Sequence, residues 1–219
     1  DEHFTCTITL LFKKSGLIKV PVILHSHGLM PFTSGLNYCL GRAYDATLQA
    51  TAFKSASSVV ALTSFDKNCI IKSSKIHPEK IRVIPNTISM DDYKLKVDPA
   101  PFIEKFGLED KKVILYVGAL SERKGVQYLI DSAPQIINAV ENVRFVIVGS
   151  GKNKNALEIL VKERGLNDYF IFTGWVSDAE LFMAYRCCDL VVLPSLVEGL
   201  PTTIYEALLY SKPVVASNL

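Results

Sequence analysis

Two carboxylates and a cluster of backbone amides in Glu198–Glu206 (EGLPTTIYE) are the groups of this 219-residue chain best placed to do chemistry. The apolar run before them, Cys187–Ser195 (CCDLVVLPS), reads as a buried strand that ends in turn residues. The stretch after them, YEALLYSKPVVAS, reads as a short helix and a further strand. The two glutamates therefore sit on a strand–loop–helix corner. Pro201 is expected as the first helical residue, where its missing N–H costs nothing. The N–H groups of Gly199, Leu200, Thr202 and Thr203 then crowd the helix start, and unpaired amides at the positive end of a helix dipole make an anion site. Gly199 lets the backbone approach a ligand closely. Glu198 in the loop and Glu206 along the helix would accept hydrogen bonds from hydroxyls rather than from phosphate. Hydroxyls on both sides of a diphosphate describe a nucleotide sugar. A helix start with two solvated glutamates is the other reading of the same residues.

Other segments bear on that choice. Val117–Gly125 (VGALSERKG) puts Arg123 and Lys124 just before a helix, where cations oppose the dipole. A diphosphate would account for them; a solvated basic pair at a loop tip is the alternative. Val148–Lys152 (VGSGK) is a glycine-rich turn from strand to helix, neither a P-loop nor a full GxGxxG. Gly149 there either lines a ligand or makes a tight turn. Thr173–Asp178 (TGWVSD) carries Val176 and the chain's one tryptophan, Trp175, after another strand. His25–Gly28 (HSHG) ends a strand, and strand alternation throws His25 and His27 to one face. No third ligand accompanies them, so no metal site is expected. Each histidine is either a ligand-facing or a structural residue.

The elements that must position these groups alternate. Strands are expected at Val20–Leu24, Ser58–Leu62 and Lys80–Ile84, with helices at 4–18, 36–55 and from Ser64, as N-cap, through Lys72. Residues 91–111 are charged and carry two prolines, and read as a linker holding a short helix, FIEKFGL. A second alternation follows: strands at Lys112–Val117, Val143–Val148, Tyr169–Thr173, Leu190–Pro194 and 213–217. Helices are expected at Lys124–Val140, Asn153–Arg164 (with Gly165 just past its end), Asp178–Tyr185 and 202–210. Strand–helix alternation implies parallel sheets covered by helices. Ligands then sit beyond the carboxyl ends of the strands. That rule gathers VGALSERKG, VGSG, TGWVSD and PSLVEGLP on one rim.

The segment EGLPTTIYEALLYSKPVVAS resembles the C-terminal signature of the retaining GT-B glycosyltransferases of family 4. VGALSERKG is similar to that family's VGRxxxxKG, TGWVSD to FxGxV, ALTSFDK to LTxxEK and KIRVIPNTIS to RVIPNGVD. The resemblance implies an α/β fold of two Rossmann-like, doubly wound parallel-sheet domains. Residues 1–90 would belong to the acceptor-side domain, 91–111 to the linker and 112–219 to the donor domain. It implies a hexosyltransferase that moves a sugar from a nucleoside-diphosphate donor of UDP or GDP type to an acceptor, with retention. Lys124 matches the family's diphosphate-binding lysine. The arginine of that motif is Ala119 here, which leaves Arg123 as a substitute from another direction. By the same resemblance His27, Lys124 and Glu198 would serve catalysis. Gly118, Arg123, Gly149, Val176, Gly199, Leu200, Pro201, Thr202 and Glu206 would complete donor binding, with Glu206 on the ribose. There is no DxD motif of the kind that brings a metal to the diphosphate in GT-A enzymes, so a metal-independent reaction without a cofactor is expected. The match begins midway through the family's first domain and stops before its last helices. An internal piece of a longer enzyme, poorly active alone and with exposed sheet edges, is the expectation. A sugar-nucleotide epimerase of the same fold, or a non-catalytic nucleotide-sugar binding module, are the rival functions.

Composition narrows the classes further. The chain is 49% hydrophobic and 21% charged, with a net charge of +2. That gives ample apolar material for a core and no nucleic-acid footprint. No apolar run reaches the roughly 18 residues of a membrane span. DEHFTCTITLLFKK, with its acidic start and no cleavage-site pattern, is not expected to be a signal peptide. Five cysteines without CxxC spacing argue against zinc and a disulfide framework, so a cytoplasmic location is expected. Peripheral association with the cytoplasmic face of a membrane fits relatives that act on lipid carriers. KKSGLIK is too short to carry that point.

Overall fold

The computed structural model describes residues 13, 15–17, 19–26, 49–89 and 96–218, which fall into two units that divide after Asn86. The helix expected at 4–18 and the stretch 36–48 lie largely or wholly outside the described residues, as do His27 and Gly28.

In the first unit, β1 (Ile23–Ser26), β2 (Ser58–Ala61) and β3 (Ile81–Val83) form a parallel sheet in that order. Register pairs Ile23 with Ser58 and Val59 with Ile81. Helices α1 (Ala50–Ser55) and α2 (Ser64–Ser74) close a core of Phe53, Val59, Ala61, Ile70 and Ile81. The cap of α2 is Thr63, not Ser64. Its hydroxyl accepts from the Asp66 N–H at 3.0 Å, and the Asp66 carboxylate accepts from the Thr63 N–H at 3.1 Å. This reciprocal capping box satisfies two amides that the helix leaves unpaired, and one residue's difference in register decides which hydroxyl can do it.

The second unit has helix α3 (Ala100–Phe106) followed by β4 (Lys112–Val117), α4 (Val126–Ala139), β5 (Val143–Val148), α5 (Lys154–Glu163), β6 (Phe170–Gly174), α6 (Asp178–Cys187), β7 (Leu190–Leu193), α7 (Thr202–Leu209) and β8 (Val214–Ala216). All five strands are parallel, in the order β6-β5-β4-β7-β8. Chain order thus runs outward from β4 to one edge, then returns to the other side of β4 at β7. This is a doubly wound sheet, and its order reverses between β4 and β7.

Alternation along the strands feeds both faces, as a sheet covered on both sides requires. Val113 and Leu115 of β4 join Val146 and Val148 of β5 under Phe102, Phe182 and Tyr185 from α3 and α6. Tyr116 joins Phe145 and Ile147 under Leu129, Ile130, Leu157 and Val161 from α4 and α5. The segment expected as a linker is, from Val97 onward, part of this packing. Phe102 is fully buried and Leu108 nearly so, because apolar spacing in the short helix gives it a face to bury.

Two helix starts differ from expectation. Lys124 ends a single 3-10 turn, Glu122–Lys124, and Gly125 at φ +70° separates it from α4. Pro201 is the residue before α7, extended at φ −70° and ψ 122°, and Thr202 is the first helical residue. Gly165 closes α5 as expected, in a left-handed conformation at φ +67° with the Leu166 N–H returning to the Val161 carbonyl at 2.9 Å.

Candidate functional site

Because the five strands point one way, the loops after β6, β5, β4 and β7 lie side by side along one rim of the second unit. Backbone hydrogen bonds lace them together. The Gly149 N–H donates to the Gly174 carbonyl at 2.9 Å and the Gly118 N–H to the Val148 carbonyl at 3.0 Å. The Leu120 N–H donates to the Ser150 carbonyl at 2.8 Å, and across the sheet's reversal the Leu196 N–H donates to the Arg123 carbonyl at 2.8 Å.

Two glycines make this lacing sterically feasible. A Cβ on Gly125 would stand 1.8 Å from the Pro194 carbonyl oxygen, and one on Gly149 (φ +135°) would stand 2.0 Å from the Gly118 carbonyl oxygen. Neither backbone approach tolerates a side chain. Gly149 is therefore required by loop-to-loop contact, whatever it does toward a ligand.

The reversal point between β4 and β7 carries the charged groups. The Lys124 ammonium stands 2.5 Å from Oε1 of Glu198, and the Ser195 hydroxyl donates to the same oxygen at 2.6 Å. Arg123 donates to the Val197 carbonyl at 3.3 Å, with its guanidinium 3.9 Å from Oε2 of Glu198. Lys124 and Glu198 are mostly buried, at 17% and 12% side-chain exposure, whereas Arg123 is 56% exposed. Below them the buried Tyr116 donates its hydroxyl to the Ala119 carbonyl at 3.0 Å. Burial drives its pKa up, the Glu198 charge adds to the rise, and Arg123 partly offsets it. Tyr116 is a neutral hydrogen-bond donor at any working pH.

Beyond Glu198, half-buried Gly199 and Leu200 lead through Pro201 to the exposed Thr202. Among the described residues no side chain caps the start of α7. One turn into that helix Glu206 accepts a hydrogen bond from the Tyr185 hydroxyl, 2.5 Å from its Oε2. Val176 is half-buried against the core next to Trp175, which is 79% exposed and projects from the end of β6.

The structure thus brings Gly118, Arg123, Lys124, Glu198, Gly199, Leu200, Pro201, Thr202 and Glu206 to the loops and helix that follow β4 and β7. Gly149 and Val176 belong to the neighbouring loops of the same rim. His27 lies outside the described residues; His25, on β1, is exposed and belongs to the first unit. Three polar residues escape sequence reading. Ser195 precedes Glu198 by three positions within PSLVEG, a signal that could have been used. Tyr116 and Tyr185 occupy apolar-patterned positions of a strand and a helix, where a tyrosine reads as core. Among the described residues no group of three or more histidine, cysteine or acidic side chains could hold a metal ion, and no helix is long and apolar enough to cross a membrane. Burial pushes the Cys187 thiol up to about 11 and Cys188 to about 12, so neither is a thiolate nucleophile at neutral pH.

Comparison with known proteins bears on the same region. The family model described as glycosyl transferases group 1 matches residues 100–219. An alpha-D-kanosaminyltransferase of Streptomyces kanamyceticus is 27% identical over 210 residues, covering 94% of this chain and 54% of the relative. The UDP-Gal:alpha-D-GlcNAc-diphosphoundecaprenol alpha-1,3-galactosyltransferase of Escherichia coli is 30% identical over 208 residues, covering 93% and 53%. The chain therefore spans about half the length of the curated relatives it matches. Among solved structures, Anabaena HepE in complex with UDP-glucose superposes with a TM-score of 0.80 at 24% identity, covering 96% of this chain and 57% of that one. WaaG, a glycosyltransferase of lipopolysaccharide biosynthesis, gives 0.73 at 22% identity, covering 90% and 57%. At these identities the likeness is one of fold: α/β with parallel sheets, about half of the GT-B architecture.

Proposed function

This chain belongs to the glycosyl transferases group 1 family, and from that premise we propose that it binds a nucleoside-diphosphate sugar and serves transfer of the hexosyl group to an acceptor, with the retaining chemistry of family 4. The observation that carries the proposal is the meeting of Lys124, Arg123 and Glu198 at the reversal of strand order, beside the uncapped start of α7. A crevice at such a reversal is where open parallel sheets take ligands. Names of relatives favour a UDP donor: UDP-galactose for the Escherichia coli enzyme and UDP-glucose in the HepE complex.

The chemistry of the residues fits departure of a diphosphate. When the bond from the sugar's anomeric carbon to the diphosphate breaks, negative charge grows on the phosphate oxygen. Lys124, Arg123 and the Gly199, Leu200 and Thr202 amides would meet that charge in place before it develops, which is electrostatic catalysis at a leaving group. An ammonium has three N–H donors, so Lys124 can keep Glu198 and still donate to phosphate. Glu198, steadied by Ser195, would accept hydrogen bonds from the sugar's hydroxyls, and Glu206 from the ribose. His27 would face the sugar as the resemblance implies, and no residue is assigned as nucleophile. The donor would need neither metal nor cofactor, and the reaction would take place in the cytoplasm, with a glycan, lipid or small molecule as acceptor.

Calorimetric titration of the chain with UDP and GDP tests the reading. Binding of one of them in the micromolar range supports it and names the base. A chain that is folded by circular dichroism yet binds neither would sink it. Retention is checked by the anomer that forms when the UDP- or GDP-sugar is transferred, read by NMR.

A further inference from the structure

Tyr185 has no part in the proposed chemistry, yet its hydroxyl bonds Glu206. It lies on α6, is fully buried, and donates its hydroxyl to Oε2 of Glu206 at 2.5 Å. Its ring stacks on that of Tyr210, with centroids 5.6 Å apart and planes within 3° of parallel. Tyr210 immediately follows α7, the helix that carries Glu206. Phe182, one turn earlier on α6, also approaches the Tyr210 ring at 6.5 Å. One residue of α6 thus grips the segment bearing Glu206 at two points, a ring contact and a hydrogen bond. Burial pushes the Tyr210 phenol up to about 12, with Arg186 offsetting part of the rise and the Glu206 charge adding a smaller part.

The hydroxyl, not the ring, is what needs explaining. Phenylalanine would pack as well against Tyr210. A half-buried glutamate has several staggered rotamers open to it, and selecting one costs side-chain entropy. A buried phenol has few torsions and is a stiff donor, so it selects one carboxylate position in advance.

We propose that Tyr185 is a positioning residue for nucleotide recognition: its hydroxyl fixes one oxygen of Glu206 and so aims the carboxylate at the ribose hydroxyls of the nucleoside diphosphate. The proposal rests on the reading of Glu206 as the ribose ligand. The test is calorimetry of the 219-residue chain with UDP and with 2′,3′-dideoxy-UDP, for wild type, Tyr185→Phe, Glu206→Ala and the double variant, with thermal unfolding of each. Tyr185→Phe is expected to unfold close to wild type, to bind UDP roughly tenfold more weakly, and to bind the dideoxy nucleotide as wild type does. In the Glu206→Ala background the same change should cost nothing more. An equal loss for both nucleotides, or no loss for UDP, overturns the proposal and leaves the ribose reading standing where Glu206→Ala weakens UDP and not the dideoxy nucleotide. A Glu206→Ala change that weakens neither nucleotide, or both equally, removes the ribose reading and this proposal with it. Should wild type bind GDP in place of UDP, the guanine pair of nucleotides is used. Binding of neither removes the proposed function itself.

Discussion

Lys124 and Glu198, 74 positions apart in sequence, are joined in space at 2.5 Å, so the cation expected to meet a diphosphate is already paired with the carboxylate expected to meet the sugar. Each holds the other in place before any ligand arrives. The pair is largely shielded from water, and breaking such a pair by removing one partner leaves an uncompensated charge.

That relationship separates a structural role from a binding role. Lys124→Met should lower stability by about 1–3 kcal/mol, because the Glu198 carboxylate loses its cation. Adding Glu198→Gln should restore most of that stability, since no charge is then left unpaired. Affinity for UDP, measured by calorimetry, should fall at least roughly tenfold in both variants, because the phosphate has lost its ammonium. Recovery of UDP affinity in the double variant would show that Lys124 acts only as the partner of Glu198.

Gly125 and Gly165 are matched in backbone conformation, at φ +70° and +67°, but differ in surroundings. Gly165→Ala meets open space and should cost only the left-handed conformation, about 1–2 kcal/mol. Gly125→Ala adds a Cβ 1.8 Å from the Pro194 carbonyl oxygen and should cost about 3 kcal/mol or more, since backbone on both sides must shift. Urea unfolding of the two variants measures the difference, and equal losses would mean that the β4 and β7 loops do not meet as described. UDP affinity should fall with Gly125→Ala alone, because that shift moves Lys124 away from Glu198.

Acid stability should depend on Glu180. The Lys105 ammonium at 2.6 Å, with the Ser177 N–H and hydroxyl, holds its carboxyl at about 2, below the ordinary 4.5. A folded value that is lowered contributes stability in full above 4.5, and loses it as pH falls toward about 2. Glu180→Gln retains a capping side chain and removes the charge. The thermal midpoint of wild type should therefore fall more steeply than that of Glu180→Gln across this window, and parallel curves would rule the linkage out. Both side chains are partly exposed, so added salt should shrink the difference.

Much of the second unit was legible because its physics is local. β4 and β5 occupy the expected Lys112–Val117 and Val143–Val148, since apolar runs of that length bounded by turn residues have few other ways to be buried. Strand–helix alternation implied parallel strands, and parallel strands put four loops on one rim. The sequence also determined which residue types stand there: a lysine before a glycine, a glutamate before a helix, a second glutamate one turn inside it. The tertiary structure alone decided what those residues touch. That Lys124 reaches Glu198, that Gly125 abuts Pro194, and that Tyr185 reaches Glu206 all depend on strand order β4-β7 and on how α6 lies against α7. No local propensity encodes contacts between residues some twenty to seventy positions apart. Tyr185 is the clearest case. Its helical spacing marks it as core, which it is, but only packing turns its one polar atom toward the site.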